Sequence, residues 1–316
     1  MPSRYTEDEL IARVFAPIAG AAALGLKDDA ALIGASPEPT VATVDMLVAG
    51  VHFFPDDPPG AVARKALRIN LSDLAAKGAA PVGFLLSLAL PTGWTNDWLA
   101  AFAAGLAEDA ATYAAPLIGG DTTATPGPLT ISITALGRAS RFVPRTGAKA
   151  GDAIYVSGTI GDAALGLAMR RDATLAARLS PAARAHLLDR YLLPRPRLDL
   201  LPLLRDHANA AMDVSDGLAG DLAKLCAASG VGAVVEAPMV PLSDAAREAI
   251  ALAPGLFETA LTGGDDYEIL FTAAPGFSPP DGVARIGEIA IGPATLEFRS
   301  AAKKPLIFKK LSFSHF

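Results

Sequence analysis

Two periods alternate along this chain. Residues 129–136 (Leu-Thr-Ile-Ser-Ile-Thr-Ala-Leu) alternate apolar and polar as far as Ala135, the period-2 mark of a half-buried strand. Residues 60–77 place Ala63, Ala66, Leu67, Leu71 and Leu74 on one stripe, which predicts a helix. Strands are also expected at 41–48 and 84–90, and a helix at 97–113 capped by Thr95 or Asn96. Residues 138–151, rich in Arg, Pro, Gly and Lys, follow neither period and predict a connection between domains. The alternation then restarts. Strands are expected at 153–157, 232–236, 267–272 and 283–289, with helices at 162–171, 218–229 and 244–252. The pattern predicts an α/β (α+β) chain of two domains, 1–138 and 139–316.

The apolar run 82–90 lies between Pro81 and Pro91 and is far shorter than the ~20 residues of a spanning helix, so a buried strand is expected. The first ten residues are polar and acidic, with no apolar core of a signal peptide, which predicts a cytoplasmic protein. With 51% hydrophobic and 19% charged residues, disorder of the whole chain is excluded. A single Cys excludes a disulfide scaffold and a Cys-based metal site. Net charge −6 argues against a nucleic-acid partner.

The candidate chemistry lies in six short acidic segments: Lys27-Asp28-Asp29, Thr43-Val44-Asp45, Asn70-Leu-Ser-Asp73, Gly119-Gly-Asp121-Thr-Thr123, Asp213-Val-Ser-Asp-Gly217 and Gly263-Gly-Asp265-Asp266. Each alone reads equally as a turn or a helix cap at a strand end. Together they suggest a hard cation such as Mg²⁺, which takes carboxylates, water and substrate phosphates as ligands. With four His and one Cys, a zinc site is not expected. No Walker P-loop, Gly-x-Gly-x-x-Gly or Gly-x-Ser-x-Gly is present. Gly158-Thr-Ile-Gly161-Asp162 opens a helix and reads either as an anion site or as a tight turn.

In order, these segments resemble the thiamine-monophosphate kinase family, within the superfamily of aminoimidazole ribonucleotide synthetase and selenophosphate synthetase. The resemblance rests most on Val44-Asp45-Met-Leu-Val-Ala-Gly-Val-His52-Phe53, and also on the segments at Gly25, Asn70, Gly119, Arg145, Met212 and Thr262. It implies that superfamily's two-domain architecture, with an N-terminal half that binds ATP and Mg²⁺ and pairs in a homodimer. Residues Asp28, Thr43, Val44, Asp45, Asp73, Asp121, Asp213 and Asp216 would hold several Mg²⁺ ions, Val44 through its main chain. Among them Asp45, Asp73, Asp121 and Asp213 would be catalytic. Gly120, Asp121, Arg145 and Ser215 would meet ATP, while His52, Asp265 and Phe313 would meet thiamine phosphate. The family's closing Gly-Tyr-x-His-Phe is Ser312-Phe313-Ser-His315-Phe316 here.

The implied reaction is in-line transfer from ATP to thiamine monophosphate, the last step to thiamine diphosphate. Two other readings fit the same motifs: a sister enzyme resembling aminoimidazole ribonucleotide synthetase, and a non-catalytic Mg²⁺-nucleotide-binding protein. Selenophosphate synthetase is disfavoured because its N-terminal Cys or selenocysteine has no counterpart; the only Cys is Cys226.

Overall fold

The structure, a computed structural model, describes residues 5–27, 30–292 and 295–313. The chain divides into two units, one built from residues 1–74 and 79–140, the other from 75–78 and 141–316. No helix among the described residues is long and apolar enough to cross a membrane.

In the first unit, helix α1 (Glu7–Leu10) opens on a capping box between Thr6 and Glu9. Strand β1 (Thr40–Val48), helix α2 (Pro59–Ala76), strand β2 (Ala80–Pro91), helix α3 (Asn96–Thr112) and strands β3 (Leu117–Thr125) and β4 (Thr130–Arg138) follow. Thr95 caps α3 by accepting the Trp98 N–H at 3.1 Å. The four strands form one sheet in the order β1-β4-β2-β3, with only β2 and β3 parallel. Period 2 gives this sheet two unlike faces. Phe84, Leu86, Leu88, Ile131, Ile133 and Ala135 are buried, as are Leu67 and Leu71 of α2 and Phe102 and Leu106 of α3, which cover that face. On the other face Val44 and Met46 are 60% and 58% exposed.

The second unit runs β5 (Ala153–Ser157), α4 (Asp162–Arg171), α5 (Ala173–Arg178), α6 (Pro181–Leu192), α7 (Leu201–His207), β6 (Ala208–Asp213), α8 (Leu218–Ser229), β7 (Gly232–Glu236), α9 (Asp244–Leu252) and α10 (Leu256–Thr262). It ends with β8 (Ile269–Ala273), β9 (Val283–Ala290), β10 (Leu296–Arg299) and β11 (Pro305–Leu306). The sheet order is β11-β10-β7-β9-β5-β8-β6, mostly antiparallel. All five residues of β5 are buried because each side has its own core. Ile154 and Val156 join Leu222, Leu225 and Phe298 on one side. Tyr155 joins Phe271, Ala211 and Leu204 on the other.

The strand expected at 84–90 is longer, and the one expected at 267–272 begins two residues later, at Ile269. Both shifts are ends of elements, where apolar pattern fades into turn geometry.

Candidate active site

Strand β1 places its functional residues by alternation. Thr43 and Asp45 are half-buried on the α2 side, whereas the Val44 side chain leaves by the opposite face. The Thr43 hydroxyl donates to Asp73 Oδ2 at 2.5 Å, joining the strand to α2. One turn earlier on α2, Asn70 is fully buried. Its Oδ1 accepts the Asp45 N–H at 3.1 Å while its Nδ2 donates to the Ala66 carbonyl at 3.0 Å. Asn70 thus fixes the edge of β1 at the residue that bears the Asp45 carboxylate. The turn after β1 folds back on itself. Val48 donates its N–H to His52 Nδ1 at 3.0 Å. In the neutral ring the proton therefore sits on Nε2, a donor for an anionic ligand.

Asp121 is placed differently. The register aligns Asp45 with Ile133, Leu86 and Gly120, and the next row aligns Met46 with Ser132, Ser87 and Asp121. Asp121 thus shares the open face with Met46, at the far edge of the sheet from Asp45. Three strand spacings of ~4.8 Å put the two edges about 14 Å apart. Beside Asp121 the sheet forms one wall of a cleft of about 720 Å³, lined also by Phe15, Leu26 and Ile33 of the N-terminal segment. Gly120 lies so close to β2 that a Cβ there would sit 1.9 Å from the Leu86 carbonyl oxygen. No side chain fits, and the main chain stays open to a ligand.

In the second unit, β6 ends at Asp213, which is buried. The following loop carries Ser215 and Asp216. Asp221, fully buried in the first turn of α8, accepts the N–H groups of Ser215 and Asp216, each at 2.9 Å. Lys224 donates to Asp221 Oδ1 at 2.9 Å and also to Asp216 Oδ2. Burial pushes the Asp221 carboxyl above its ordinary value, against the pull of Lys224. Burial alone would lower the Lys224 ammonium, but its bonds to Asp216 and Asp221 outweigh that and raise it. The loop is also clamped from the 262–268 segment. Asp265 donates its N–H to the Ser215 carbonyl at 2.8 Å. A Cβ on Gly264 would lie 2.3 Å from that same oxygen.

The acidic residues of this segment separate into three roles. Asp265 is half-exposed, with the Tyr267 hydroxyl donating to its Oδ1 at 3.2 Å. Asp266 is buried and accepts the Gly161 N–H at 2.8 Å and the Ala163 N–H at 3.5 Å. Burial drives its carboxyl well above the ordinary range. The N–H groups at the start of α4 are therefore met by the protein's own Asp266 carboxyl, which favours the tight-turn reading of residues 158–162. Glu268 is fully buried and receives Arg190 at 2.9 Å, Arg197 twice at 2.6 Å and the Ser157 hydroxyl at 2.6 Å. Asp265 alone of the three faces solvent.

Arg145 is exposed, and its carbonyl accepts the Ser229 hydroxyl at 3.0 Å. Phe313 is 49% exposed and donates its N–H to the Asp216 carbonyl at 3.0 Å. Asp28 lies outside the described residues, as do 314–316.

One expectation is corrected. Asp121 lies within β3 rather than in a turn at a strand end, whereas Asp45 in β1 and Asp73 in α2 fall in the strand and helix expected at 41–48 and 60–77. The paired glycines before Asp121 suggested a turn, but pairing with β2 overrides that local signal. Asn70, Asp221, Lys224 and Ser229 were not singled out as site residues. Their weak signal is spacing: Asp221 and Lys224 follow Asp216 by five and eight residues on one helix face.

Thr43, Asp45 and Asp73 offer hydroxyl and carboxylate oxygens, a donor set that suits Mg²⁺. Among the described residues no three His, Cys, Asp or Glu side chains converge on one point.

Residues 27–139 match the family model of the AIR synthase related protein N-terminal domain, and residues 149–278 that of the C-terminal domain. The chain is thus an AIR synthase related protein with both of that family's domains. The chain is 43% identical to thiamine-monophosphate kinase from Caulobacter vibrioides over 278 residues, 85% of this chain and 77% of that one. It is 40% identical to the solved thiamine-monophosphate kinase from Stenotrophomonas maltophilia, with TM-score 0.78 over 88% and 90% of the two chains. It also matches AaThiL complexed with AMPPCP and TMP at TM-score 0.80 and 31% identity, covering 90% of each chain. The chain belongs to the thiamine-monophosphate kinase family.

Proposed function

We propose that this chain transfers the terminal phosphoryl group of ATP to thiamine monophosphate, giving thiamine diphosphate and ADP. The observation that supports this most is the join of Thr43, Asp45 and Asp73 through α2, which presents hard oxygen ligands in a chain of this kinase family. The acceptor phosphate has a second pKa near ~6 and is ionised at neutral pH, so no strong base is needed. The obstacle is repulsion between two polyanions, ~4 kcal/mol per unit-charge pair at ~4 Å and an effective dielectric near 20. Mg²⁺, when bound, offsets that repulsion and stabilises charge in the transition state.

Asp28, Asp45, Asp73, Asp121, Asp213 and Asp216 would hold the ions, with the Thr43 hydroxyl and the Val44 main chain. Gly120 lets the main chain approach ATP, and Ser215 and Arg145 bind it. His52 donates from Nε2 to the phosphate of thiamine monophosphate. Asp265 meets the same substrate, and the exposed Phe313 ring stacks on its thiamine. Because ATP is the co-substrate, we place the reaction in the cytoplasm.

We also propose a homodimer formed by the N-terminal half, residues 1–138, which would carry nucleotide binding. Asp45 and Asp121 occupy opposite faces and edges of one sheet, and a second copy would bring one to the other. Co-refolded Asp45→Asn and Asp121→Asn chains then recover about a quarter of wild-type activity through mixed dimers. Zero recovery would remove the shared site. The chemistry itself is tested by ADP release with thiamine monophosphate, against thiamine and formylglycinamidine ribonucleotide. Only the first should turn over, and Asp45→Asn or Asp73→Asn should lower its rate by at least about two orders of magnitude. Near-normal turnover of either variant at saturating Mg²⁺ would refute the assignment.

A further inference from the structure

The loop 213–217 supplies three residues of the proposed site, yet its shape is set from outside the loop. We propose that Asp221 and Lys224 are a positioning pair: Asp221 fixes the main chain between Asp213 and Asp216, and Lys224 holds the Asp216 carboxylate. The proposal rests on the kinase reading for its consequence and on geometry for its substance.

Two consecutive N–H groups, of Ser215 and Asp216, converge on one carboxylate oxygen of Asp221 at 2.9 Å each. That bond pair fixes the main chain from which the Asp216 side chain leaves, just after Asp213 is held by pairing with Ile269. Asp221 is fully buried and so cannot meet a substrate. Lys224 spans the two carboxylates, one buried and one part-exposed. It neutralises Asp216 until a stronger cation displaces it, and so competes with any ion that uses Asp216.

Three variants separate these roles. Asp221→Ala removes the acceptor. Asp221→Asn keeps an oxygen for both N–H groups and should rescue the loop. Lys224→Met keeps the loop but frees Asp216. The readouts are amide hydrogen exchange over residues 213–217, Mn²⁺ titration calorimetry without turnover, and the Mg²⁺ concentration giving half-maximal ADP release.

Asp221→Ala should speed exchange in that loop while β6 and α8 stay protected, and should weaken metal binding by about ten-fold or more. Asp221→Asn should recover most of both. Lys224→Met should tighten metal binding by about thirty-fold, the effect of removing one positive charge ~4 Å from a divalent ion in water. If Asp221→Ala unfolds the unit, the Asn and Met variants still decide: Asn as damaging as Ala, or Met with unchanged metal affinity, overturns the pair. Asp221→Ala with wild-type exchange and affinity overturns it too. A wild-type protein whose turnover ignores Mg²⁺ would instead refute the kinase reading, and the exchange experiment would still judge Asp221.

Discussion

Replacing Glu268 by Gln tests whether this motif residue is structural or touches substrate. Its carboxylate is fully buried and accepts two guanidinium groups and a hydroxyl at 2.6–2.9 Å. Gln offers one oxygen and turns an NH₂ donor toward a guanidinium that also donates. Arg190, with a side chain only 4% exposed, then keeps its charge without a full counter-charge. Breaking a buried pair in this way costs about 3–5 kcal/mol, since the remaining charge has lost its solvent and its partner. For a unit of this size that is a fall in Tm of about 6–20 °C. Gly158 tightens the constraint, because a Cβ there would lie 2.2 Å from Glu268 Oε1, so the pair has no room to rearrange on that side. Differential scanning fluorimetry of Glu268→Gln and Asp265→Asn, with KM for thiamine monophosphate, separates the two residues. Glu268→Gln should lose Tm, and Asp265→Asn should raise KM with Tm unchanged. Wild-type Tm with a raised KM in Glu268→Gln would refute the structural role.

Asp266 has its folded-state pKa raised by burial, so its contribution to stability is full below the unfolded value and is lost as pH rises through the folded one. Asp266→Asn should therefore flatten the decline of Tm from pH 4 upward; an unchanged slope would contradict this. Burial pushes the Cys226 thiol up to about 11, so dithionitrobenzoate should label native protein very slowly at pH 8 and rapidly in denaturant. Fast labelling of native protein would place the thiol elsewhere. Gly120→Ala forces a methyl into the Leu86 carbonyl, and the strands must part by more than about 1 Å, at a cost of about 1–3 kcal/mol. The assay should show a raised KM for ATP before any loss of fold, and a wild-type KM would contradict the close approach.

Much of the architecture could be read from the chain. The period-2 run at 129–136 and the α2 stripe appear as expected. The motifs at Asp45 and Asp73 also pointed to residues that meet, although 30 positions separate Thr43 from Asp73. What the chain hid is whatever depends on burial. Asp265, Asp266 and Glu268 look alike in a row of acidic letters, yet one faces solvent, one caps a helix and one balances two arginines. Nothing in the basic, Pro-punctuated stretch Pro194-Arg-Pro-Arg197 marks Arg197 as the counter-charge of a residue 71 positions away. The sheet order was hidden as well, and with it the fact that Asp45 and Asp121 occupy opposite edges.

That edge placement has a consequence for solubility. β1 and β3 are the two outer strands of their sheet. An outer strand offers unpaired main-chain groups to any passing chain, and charged side chains are a common deterrent. Asp45 and Asp121 each place a carboxylate on one of these outer strands. Asp45→Asn and Asp121→Asn remove that charge, and should be more prone to self-association at high concentration than variants that retain a charge there.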